Sequence, residues 1–210
     1  MVCVNLSRVE RFDAGPQPAG RAPAPARLGY VQAFLNSFWS LDDHGGEVWS
    51  SPQAYGAWLG ARGFAGSPTE RDRQRALALR EALRTLALSN HGDAPATSAP
   101  ARVDAVAAAL APGVAVLPRF GAGDAVRLDP AGEGPDAALA LALGIVLVAR
   151  ADGTWSRLKA CPHADCGWAF YDHSRNRAGQ WCSMRICGNR TKGEAFRRRR
   201  RATDRLAQSS

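Results

Sequence analysis

The chain of 210 residues is poor in lysine and has no long apolar run. Against 2 lysines it has 25 arginines, and with the abundant alanine this favours a high-GC, bacterial genome. The longest apolar run, residues 137–149, has 13 residues, whereas about 20 are needed to cross a bilayer. Residues 1–26 contain no apolar segment typical of a secretory signal. We therefore expect a soluble, cytoplasmic protein with no membrane contact.

The sequence also lacks the common catalytic motifs. It contains no phosphate-binding loop, no nucleophile elbow and no HExxH pair. Three acids, Asp42, Asp43 and Glu47, lie close together in a loop but have no histidine at a useful helical spacing. We interpret them as solvated surface acids. The expected class is therefore not an enzyme.

Positive charge is concentrated at one end of the chain. Residues 1–150 hold 14 arginines and 14 acids, whereas residues 151–210 hold 13 basic and 5 acidic residues. The whole net charge of +8 therefore belongs to the last sixty residues. A basic module of this kind is typical of polyanion binders, although a charged solvated tail has the same composition.

Proline, glycine and apolar periodicity divide the N-terminal part of the chain. The prolines and glycines of residues 1–26 predict a disordered or extended N-terminal extension, with Cys3 as an unused thiol. Residues 27–150 predict a mainly helical domain in which Ser51, Thr69 and Asp136 cap helices, and in which Arg80 and Arg84 are surface residues. The predicted helices cover about 28–41, 52–60, 70–90, 101–110 and 136–148.

One β-hairpin is predicted within this helical domain. Residues 114–117 and 125–128 alternate as strands do, and a glycine-rich turn over 120–124 separates them. The apolar helix that follows should lie at the centre of the core. The predicted fold class is therefore α+β.

Four cysteines near the C-terminus are arranged in two pairs of equal internal spacing. Cys161 and Cys166 form the first pair, and Cys182 and Cys187 form the second, fifteen residues later. Thiols stay reduced inside the cell, so paired cysteines favour metal ligands over disulfides. Four thiolates complete a tetrahedron around one zinc ion and leave no position for water, which predicts a structural site.

Two histidines are rival ligands in this module. Because four cysteines already satisfy zinc, we place His163 and His173 outside the first coordination shell, and His163 is the substitute if one cysteine does not bind. The aromatic segment 168–181 between the pairs predicts a strand, a turn and a strand. Its aromatic residues would form a small core over the metal.

A basic helix is predicted after the second pair. Together with the two cysteine turns it predicts a treble-clef-like zinc finger over residues 151–201, followed by a flexible tail over 202–210. Arginine forks grip phosphate oxygens, so the exposed basic residues predict salt-dependent binding to a nucleic-acid backbone. The candidate contacts are Arg175, Arg177, Arg190, Lys192, Arg197, Arg198, Arg199, Arg200 and Arg201.

Several short motifs resemble a known family. The segments 157–161, 166–172, 174–177, 181–184 and the tetrapeptide Cys187-Gly-Asn-Arg190 are similar to the CGNR zinc finger. Upstream, residues 34–37, the helix around Trp58 and residues 79–83 resemble the ABATE domain that precedes this finger in stress-induced transcription regulators. The resemblance implies a bacterial transcription regulator whose finger binds DNA and whose ABATE domain senses a ligand.

The function expected from the sequence is a zinc-dependent DNA-binding regulator whose N-terminal domain senses a ligand or forms a homodimer. An RNA- or protein-binding zinc module is the alternative, because similar fingers serve all three roles. A ligand of unknown identity would lie between the first helix and residues 137–149, near Asn36, Trp39 and Trp58. We prefer the interpretation that these three residues are members of the core.

Overall fold

The computed structural model of the chain describes residues 14–15, 17–40, 45–91, 98–110, 113–120 and 126–208. Within these residues there are six α-helices and three small, two-stranded antiparallel sheets, which confirms the α+β class. The elements are α1 (Leu28–Leu35), β1 (Phe38–Trp39), β2 (Gly46–Glu47), α2 (Pro52–Gly60), α3 (Glu70–Leu88), α4 (Ser98–Leu110), β3 (Val116–Phe120), β4 (Val126–Pro130), α5 (Gly134–Ala151), β5 (Leu158–Ala160), β6 (Ala169–Tyr171) and α6 (Asn189–Gln208).

Two helices begin at the predicted caps. The hydroxyl of Ser51 accepts a hydrogen bond from the Ala54 N–H at 3.1 Å, directly before Pro52 in the first turn of α2. At α3, Thr69 accepts from the Asp72 N–H while the Asp72 carboxylate accepts from the Thr69 N–H at 2.9 Å. This capping box satisfies backbone donors that the first turn of a helix leaves unpaired.

Helix α1 ends earlier than its apolar pattern predicts. The pattern favoured a helix to residue 41, but the helix stops at Leu35. Ser37 turns its hydroxyl back onto the Phe34 carbonyl at 2.8 Å, and Asn36 binds backbone in a distant strand. Side chains that bond backbone in this way compete with helix formation. Phe38 and Trp39 then form β1 instead, paired with β2.

Helix α5 is the central helix, as predicted, with most of its residues buried. Its predicted cap was wrong: the helix begins at Gly134, and Asp136 lies within the first turn, where its carboxylate accepts from Arg75 at 2.6 Å. By length and composition, α5 is the one helix among the described residues that could cross a membrane. Buried core helices pass the same test, and 61% of this one is buried against the rest of the protein.

The predicted hairpin is confirmed, with both strands shifted along the chain. β3 and β4 pair antiparallel from Val116 opposite Pro130 to Phe120 opposite Val126. The turn residues 121–125 lie outside the described part of the chain. The sheet packs on α5, where Leu128 and Val116 approach Gly144 so closely that a larger side chain would meet both.

One hydrophobic core joins the helical part to β5 and β6. Its aromatic centre contains Tyr30, Phe34, Trp49 and Trp58, and the ring centroids of neighbouring pairs lie 4.9 to 6.3 Å apart. The same core continues into β5 and β6. The residues that this part of the chain contributes are Trp155, Leu158, Ala160, Ala169 and Tyr171. The cysteine-bearing segment therefore shares the core of the helical part through its sheet.

The described part of the N-terminal extension contradicts the prediction of disorder. Ala14 and Ala24 are buried. Arg21 donates to the carbonyl oxygens of Tyr171 at 3.4 Å and Trp181 at 3.2 Å. These hydrogen bonds fasten the segment to the cysteine-bearing part of the chain. Residues 1–13, including Cys3, lie outside the described residues.

Candidate metal centre and basic surface

The four predicted cysteine ligands form one buried cluster. Their sulfur atoms all lie within 4.8 Å of one another. Cys182 Sγ is 3.6 Å from Cys166 Sγ and 3.5 Å from Cys187 Sγ. A tetrahedral zinc site with Zn–S bonds of about 2.3 Å requires sulfur atoms about 3.8 Å apart. The two separations at Cys182 are close to this value, so the cluster suits a metal ion of that size.

Local backbone signals bring each pair together. In the first turn the Cys166 N–H donates to the His163 carbonyl at 3.0 Å, and Gly167 follows in the left-handed region at φ +66°. In the second, the Ser183 hydroxyl accepts from the Ile186 N–H at 3.3 Å and caps a single π-helical turn, Met184–Gly188. This turn places Cys187 opposite Cys182.

The close approach of the four thiols changes their pKa values. Hydrogen bonds from the Cys166 and Cys182 thiols lower the pKa of Cys161. The bonds to Cys161 raise the pKa of Cys166 and of Cys182, and burial raises that of Cys187. A divalent metal that binds all four sulfurs must displace these protons, so its affinity should rise with pH.

Neither histidine belongs to this cluster. His163 Nδ1 accepts from the Asp165 N–H at 3.2 Å, and its Nε2 lies 3.5 Å from a carboxylate oxygen of Glu194 in α6. His173 Nε2 lies 3.0 Å from the Pro23 carbonyl. His163 therefore links the first cysteine turn to α6, and His173 contacts the N-terminal segment.

Aromatic side chains cover the cluster as predicted, but the strand pairing differs. Phe170 is buried against the cysteines, with Trp168 and Trp181 beside it. The prediction of two strands within 168–181 was wrong, because β6 pairs with β5, which precedes the first cysteine. Residues 172–183, all described, contain no strand. A hairpin around the first cysteine turn, the second turn and a C-terminal helix together form a treble-clef-like arrangement.

A buried ion pair organises the loop where the second strand was predicted. Lys159 Nζ donates to Asp172 Oδ2 at 3.0 Å and to the carbonyl oxygens of Arg177 and Gly179, and Lys159 and Asp172 are each 2% exposed. Asp172 also accepts from the Ser174 hydroxyl at 2.6 Å and the Gly179 N–H at 2.7 Å. Burial opposes its charge, but these hydrogen bonds outweigh it and hold the pKa of Asp172 well below its usual range.

Substitution Asp172→Asn is expected to lower the free energy of unfolding by about 3 to 5 kcal/mol, because Lys159 would remain buried without its counter-charge. Chemical denaturation at neutral pH measures this. The carboxylate's pKa is depressed on folding, so its contribution is present above about pH 4 and is lost as the pH falls through the native pKa. The exposed acid Asp165→Asn is the matched control, and an equal effect for both variants would contradict the expectation.

All nine predicted nucleic-acid contacts lie on the surface. Arg175 and Arg177 belong to the loop that the Lys159–Asp172 pair organises, and Arg177 donates to the Ser156 hydroxyl at 3.0 Å. The others are on α6, which continues through residues 202–208, where a flexible tail was predicted. The exposed set is Arg175, Arg177, Arg190, Lys192 and Arg197–Arg201.

A second group of residues joins the helical part to the metal module. Asn36 donates from Nδ2 to the Ala169 carbonyl at 2.9 Å and accepts on Oδ1 from the Ala169 N–H at 2.7 Å. The Asn36 amide thus pairs with β6 as a neighbouring strand would. Ser40 N–H donates to the Cys166 carbonyl at 3.3 Å, and the rings of Trp39 and Trp168 meet edge to face at 5.3 Å. We call these contacts, with those of Arg84 below, the junction.

Arg84 and Arg80 form the buried polar part of this region. Arg84 donates to the carbonyls of Gly167 and, at 2.6 Å, of Leu35. Arg80 binds both carboxylate oxygens of Glu47, at 2.7 and 2.6 Å. The prediction that these residues are solvated was wrong: Arg80 is 3% exposed and Arg84 7%. Asp42 and Asp43 lie outside the described residues.

Glu81 completes this network between the two arginines. Its carboxylate accepts from Arg80 Nε at 2.8 Å and from Arg84 Nε at 3.0 Å. Burial opposes its charge, but the two guanidinium groups outweigh it and lower the pKa of Glu81. Helical spacing could have predicted that Arg80 and Arg84 are buried, because they follow the buried Ala76 at i+4 and i+8.

Two cavities lie near the place where the sequence predicted a ligand. One of about 240 Å³ lies at the predicted place, between α1 and α5, and residues 25–28 form one wall. The predicted residues Asn36, Trp39 and Trp58 instead line a separate cavity of about 220 Å³, together with Trp168. Asn36 and Trp58 are also buried, so they belong to the core as well.

The comparisons with known families agree with this arrangement. Residues 157–200 match the family model described as "CGNR zinc finger". Residues 29–158 match the ABATE model, described as "Putative stress-induced transcription regulator". A comparison with curated proteins gave no match.

Fold and site define an α+β protein with a four-cysteine, metal-binding finger at its C-terminal end. Because the ABATE match covers more than half of the chain, the chain belongs to the ABATE family, and a CGNR zinc finger follows in N-to-C order. Both families are described as regulatory or zinc-finger proteins, and neither as an enzyme.

Proposed function

We propose that this protein is a zinc-dependent, DNA-binding transcription regulator of the bacterial cytoplasm. One zinc ion held by Cys161, Cys166, Cys182 and Cys187 has a structural role, and the finger contacts DNA. The ABATE part binds a small molecule, near Asn36, Trp39 and Trp58, or forms a homodimer. It regulates the finger across the junction.

The observation that carries the DNA-binding proposal is a long basic helix attached to the metal site. α6 has 20 residues, begins two residues after Cys187, and exposes Arg190, Lys192 and Arg197–Arg201. Arginine offers a planar fork that matches phosphate oxygens and remains charged at all working pH values. The family description as a transcription regulator favours DNA as the polyanion.

The closed coordination shell supports a structural role for the metal. Four buried sulfurs satisfy zinc completely, and softer thiolate ligands favour zinc over magnesium or calcium. No position remains for the activated water of a hydrolytic site. The role of zinc here would be structural: it would hold the two cysteine turns and α6 in a fixed relation.

Replacement of the five arginines Arg197–Arg201 with alanine is expected to weaken binding to duplex DNA by at least a hundredfold at about 0.1 M salt. A plot of log affinity against log salt concentration should become shallower by about 3, since roughly three of five successive helical side chains can face one duplex. Fluorescence anisotropy with a labelled random duplex measures both quantities. Alanine preserves the helix, so the change isolates charge.

The control is the same five positions changed to lysine, which keeps the charge and should retain most of the salt dependence. A variant Arg71→Ala, at an exposed arginine of α3, should bind DNA as the parent does. Unchanged DNA affinity in the alanine variant would rule out residues 197–201 as the contact surface. Tighter binding to RNA than to duplex DNA would instead favour an RNA-binding module.

A further inference from the structure

Helix α6 exposes one large aromatic side chain among its basic residues. Phe196 is 60% exposed, and it is the one large apolar residue between positions 189 and 205. Neither of the two apolar clusters formed by the described residues includes it. A single exposed apolar side chain is ordinary on a protein surface, so its surroundings decide whether it has a role.

The orientation of α6 places Phe196 on the side that faces away from the rest of the finger. Glu194 lies on the inner side, where its carboxylate is 3.5 Å from His163 Nε2 in the first cysteine turn. Successive residues turn by about 100° around an α-helix, so Phe196, two residues later, lies about 200° from Glu194. Phe196 therefore belongs to the outer face of α6.

Basic side chains surround Phe196 on this outer face. Lys192 precedes it by four residues, and Arg199 and Arg200 follow it by three and four, so all three share its side of the helix. All three are exposed. The outer face therefore combines three positive charges with one apolar ring.

Gly193 completes the outer face, one turn before Phe196. Glycine is among the least favourable residues in the interior of a helix. A β-carbon at Gly193 would lie 3.3 Å from a guanidinium nitrogen of Arg197, which is the end of a flexible side chain. The fold would therefore accept alanine here after a small shift of that guanidinium. A glycine that the fold does not need leaves room for another molecule to approach the helix backbone closely.

We propose that the outer face of α6 enters the major groove of duplex DNA, and that Phe196 packs there on the 5-methyl group of thymine. The inference rests on the proposed DNA-binding role of α6 and adds to it a means of reading a base. The major groove admits an α-helix, whereas the minor groove is too narrow for one. Phenylalanine contacts the thymine methyl group in that groove, while the phosphates beside it bind basic side chains.

Two other partners suit this face less well. A second copy of the chain would bring two basic faces together, and like charges repel. An anionic lipid surface would bind the charges, but helices that lie on membranes bury a broad apolar face, and residues 189–205 offer one large apolar side chain. Duplex DNA supplies acidic groups and a small apolar group in the same groove.

The test compares two duplexes by fluorescence anisotropy with the zinc-loaded full-length protein. One is a short duplex of mixed sequence. The other is its copy in which deoxyuridine replaces every thymidine, which removes the methyl groups and keeps the base pairing. We expect the parent to bind the thymidine duplex about fourfold more tightly, the effect of one methyl group in an apolar contact.

Substitution of Phe196 should remove or retain this preference according to the side chain that replaces it. Phe196→Ala should bind the two duplexes equally, and Phe196→Leu, which keeps an apolar side chain, should still prefer thymidine. Phe120→Ala is the matched control, because Phe120 is an exposed phenylalanine of β3, outside the finger, and it should bind both duplexes as the parent does.

Two further variants separate base reading from the approach of the helix. Arg200→Ala should weaken binding to both duplexes by the same factor, since a phosphate contact does not read the methyl group. Gly193→Ala should also weaken binding to both, while its thermal midpoint stays at or above that of the parent, since alanine favours the helix.

The proposal is overturned if the parent binds both duplexes equally, if Phe196→Ala keeps the preference for thymidine, or if Gly193→Ala binds as tightly as the parent. Tighter, Phe196-dependent binding to single-stranded DNA would also overturn it, because the ring would then stack on unpaired bases. Equal, salt-dependent binding to both duplexes would reject the thymine contact and retain the DNA-binding regulator. Absence of DNA binding at low salt would reject the regulator and, with it, this contact.

Discussion

Substitution of Cys182 by serine, or removal of the metal by a chelator, is expected to unfold the finger and abolish DNA binding. The sulfur of Cys182 lies 3.6 Å from Cys166 Sγ and 3.5 Å from Cys187 Sγ, so its loss opens the shell on two sides. Binding of structural zinc provides about 10 to 16 kcal/mol in small modules of this kind, and that free energy is folding free energy. This is the largest effect we predict.

The consequences of metal loss should extend beyond the finger. β5 and β6 flank the first cysteine turn and contribute Leu158, Ala169 and Tyr171 to the main core. If the turn opens, β5 and β6 are no longer joined by a fixed connection. We therefore expect the thermal midpoint of the helices, followed by far-ultraviolet circular dichroism, to fall on chelation together with the near-ultraviolet signal of the finger tryptophans.

Metal analysis and titration provide the measurements. We expect one zinc per chain in the parent and in Cys3→Ser, which changes the remaining cysteine, and less than a tenth of that in Cys182→Ser. Zinc affinity should rise with pH, because the raised pKa values of Cys166, Cys182 and Cys187 mean that protons compete for the sulfurs. A Cys182→Ser variant that keeps a full zinc ion and native stability would contradict the assigned site.

Substitution of Arg84 by methionine is expected to cost about 3 to 5 kcal/mol of unfolding free energy, the range found when one partner of a buried ionic contact is removed. Arg84 donates to the carbonyls of Leu35, Phe38 and Gly167 and to Glu81. Methionine retains the apolar stem but leaves these acceptors buried without a donor, at about 1 to 3 kcal/mol each before relaxation.

The location of Arg84 makes its effect specific to the junction. It holds the end of α1 and the residue that follows Cys166 at the same time, so we expect its loss to undock the finger as well as to destabilise the chain. Hydrogen exchange should show faster exchange of the Ala169 N–H in Arg84→Met, while zinc content stays at the parent value. Arg84→Lys should not restore stability, since an ammonium group cannot reach all three carbonyls.

Arg71→Met, at an exposed arginine of the same helix, is the matched control and should change stability by less than about 0.5 kcal/mol. If Arg84→Met lowers the free energy of unfolding by less than about 1 kcal/mol, the carbonyl partners of Arg84 have found other donors. A loss of similar size in both variants would point to helix propensity as the cause.

The sequence by itself determined the features that depend on neighbouring residues. Ser51 and Thr69 begin helices because a cap bonds a backbone group three residues away, and both caps are present. The equal spacing of the cysteine pairs identified the four sulfurs that the structure brings within 4.8 Å. The basic segment after Cys187 predicted an exposed helix for the same local reason.

Only the tertiary structure decided which distant groups meet. The partner of β6 is β5 rather than residues 172–181, because Lys159 and Asp172 bond each other and the loop that follows Asp172. α1 stops at Leu35 because Asn36 finds its partners in β6, more than a hundred residues later. Arg84 is buried because the carbonyls of Leu35 and Phe38 and the distant carbonyl of Gly167 converge on it. Long-range polar contacts of this kind overrule local periodicity, since a satisfied buried group costs far less than an unsatisfied one.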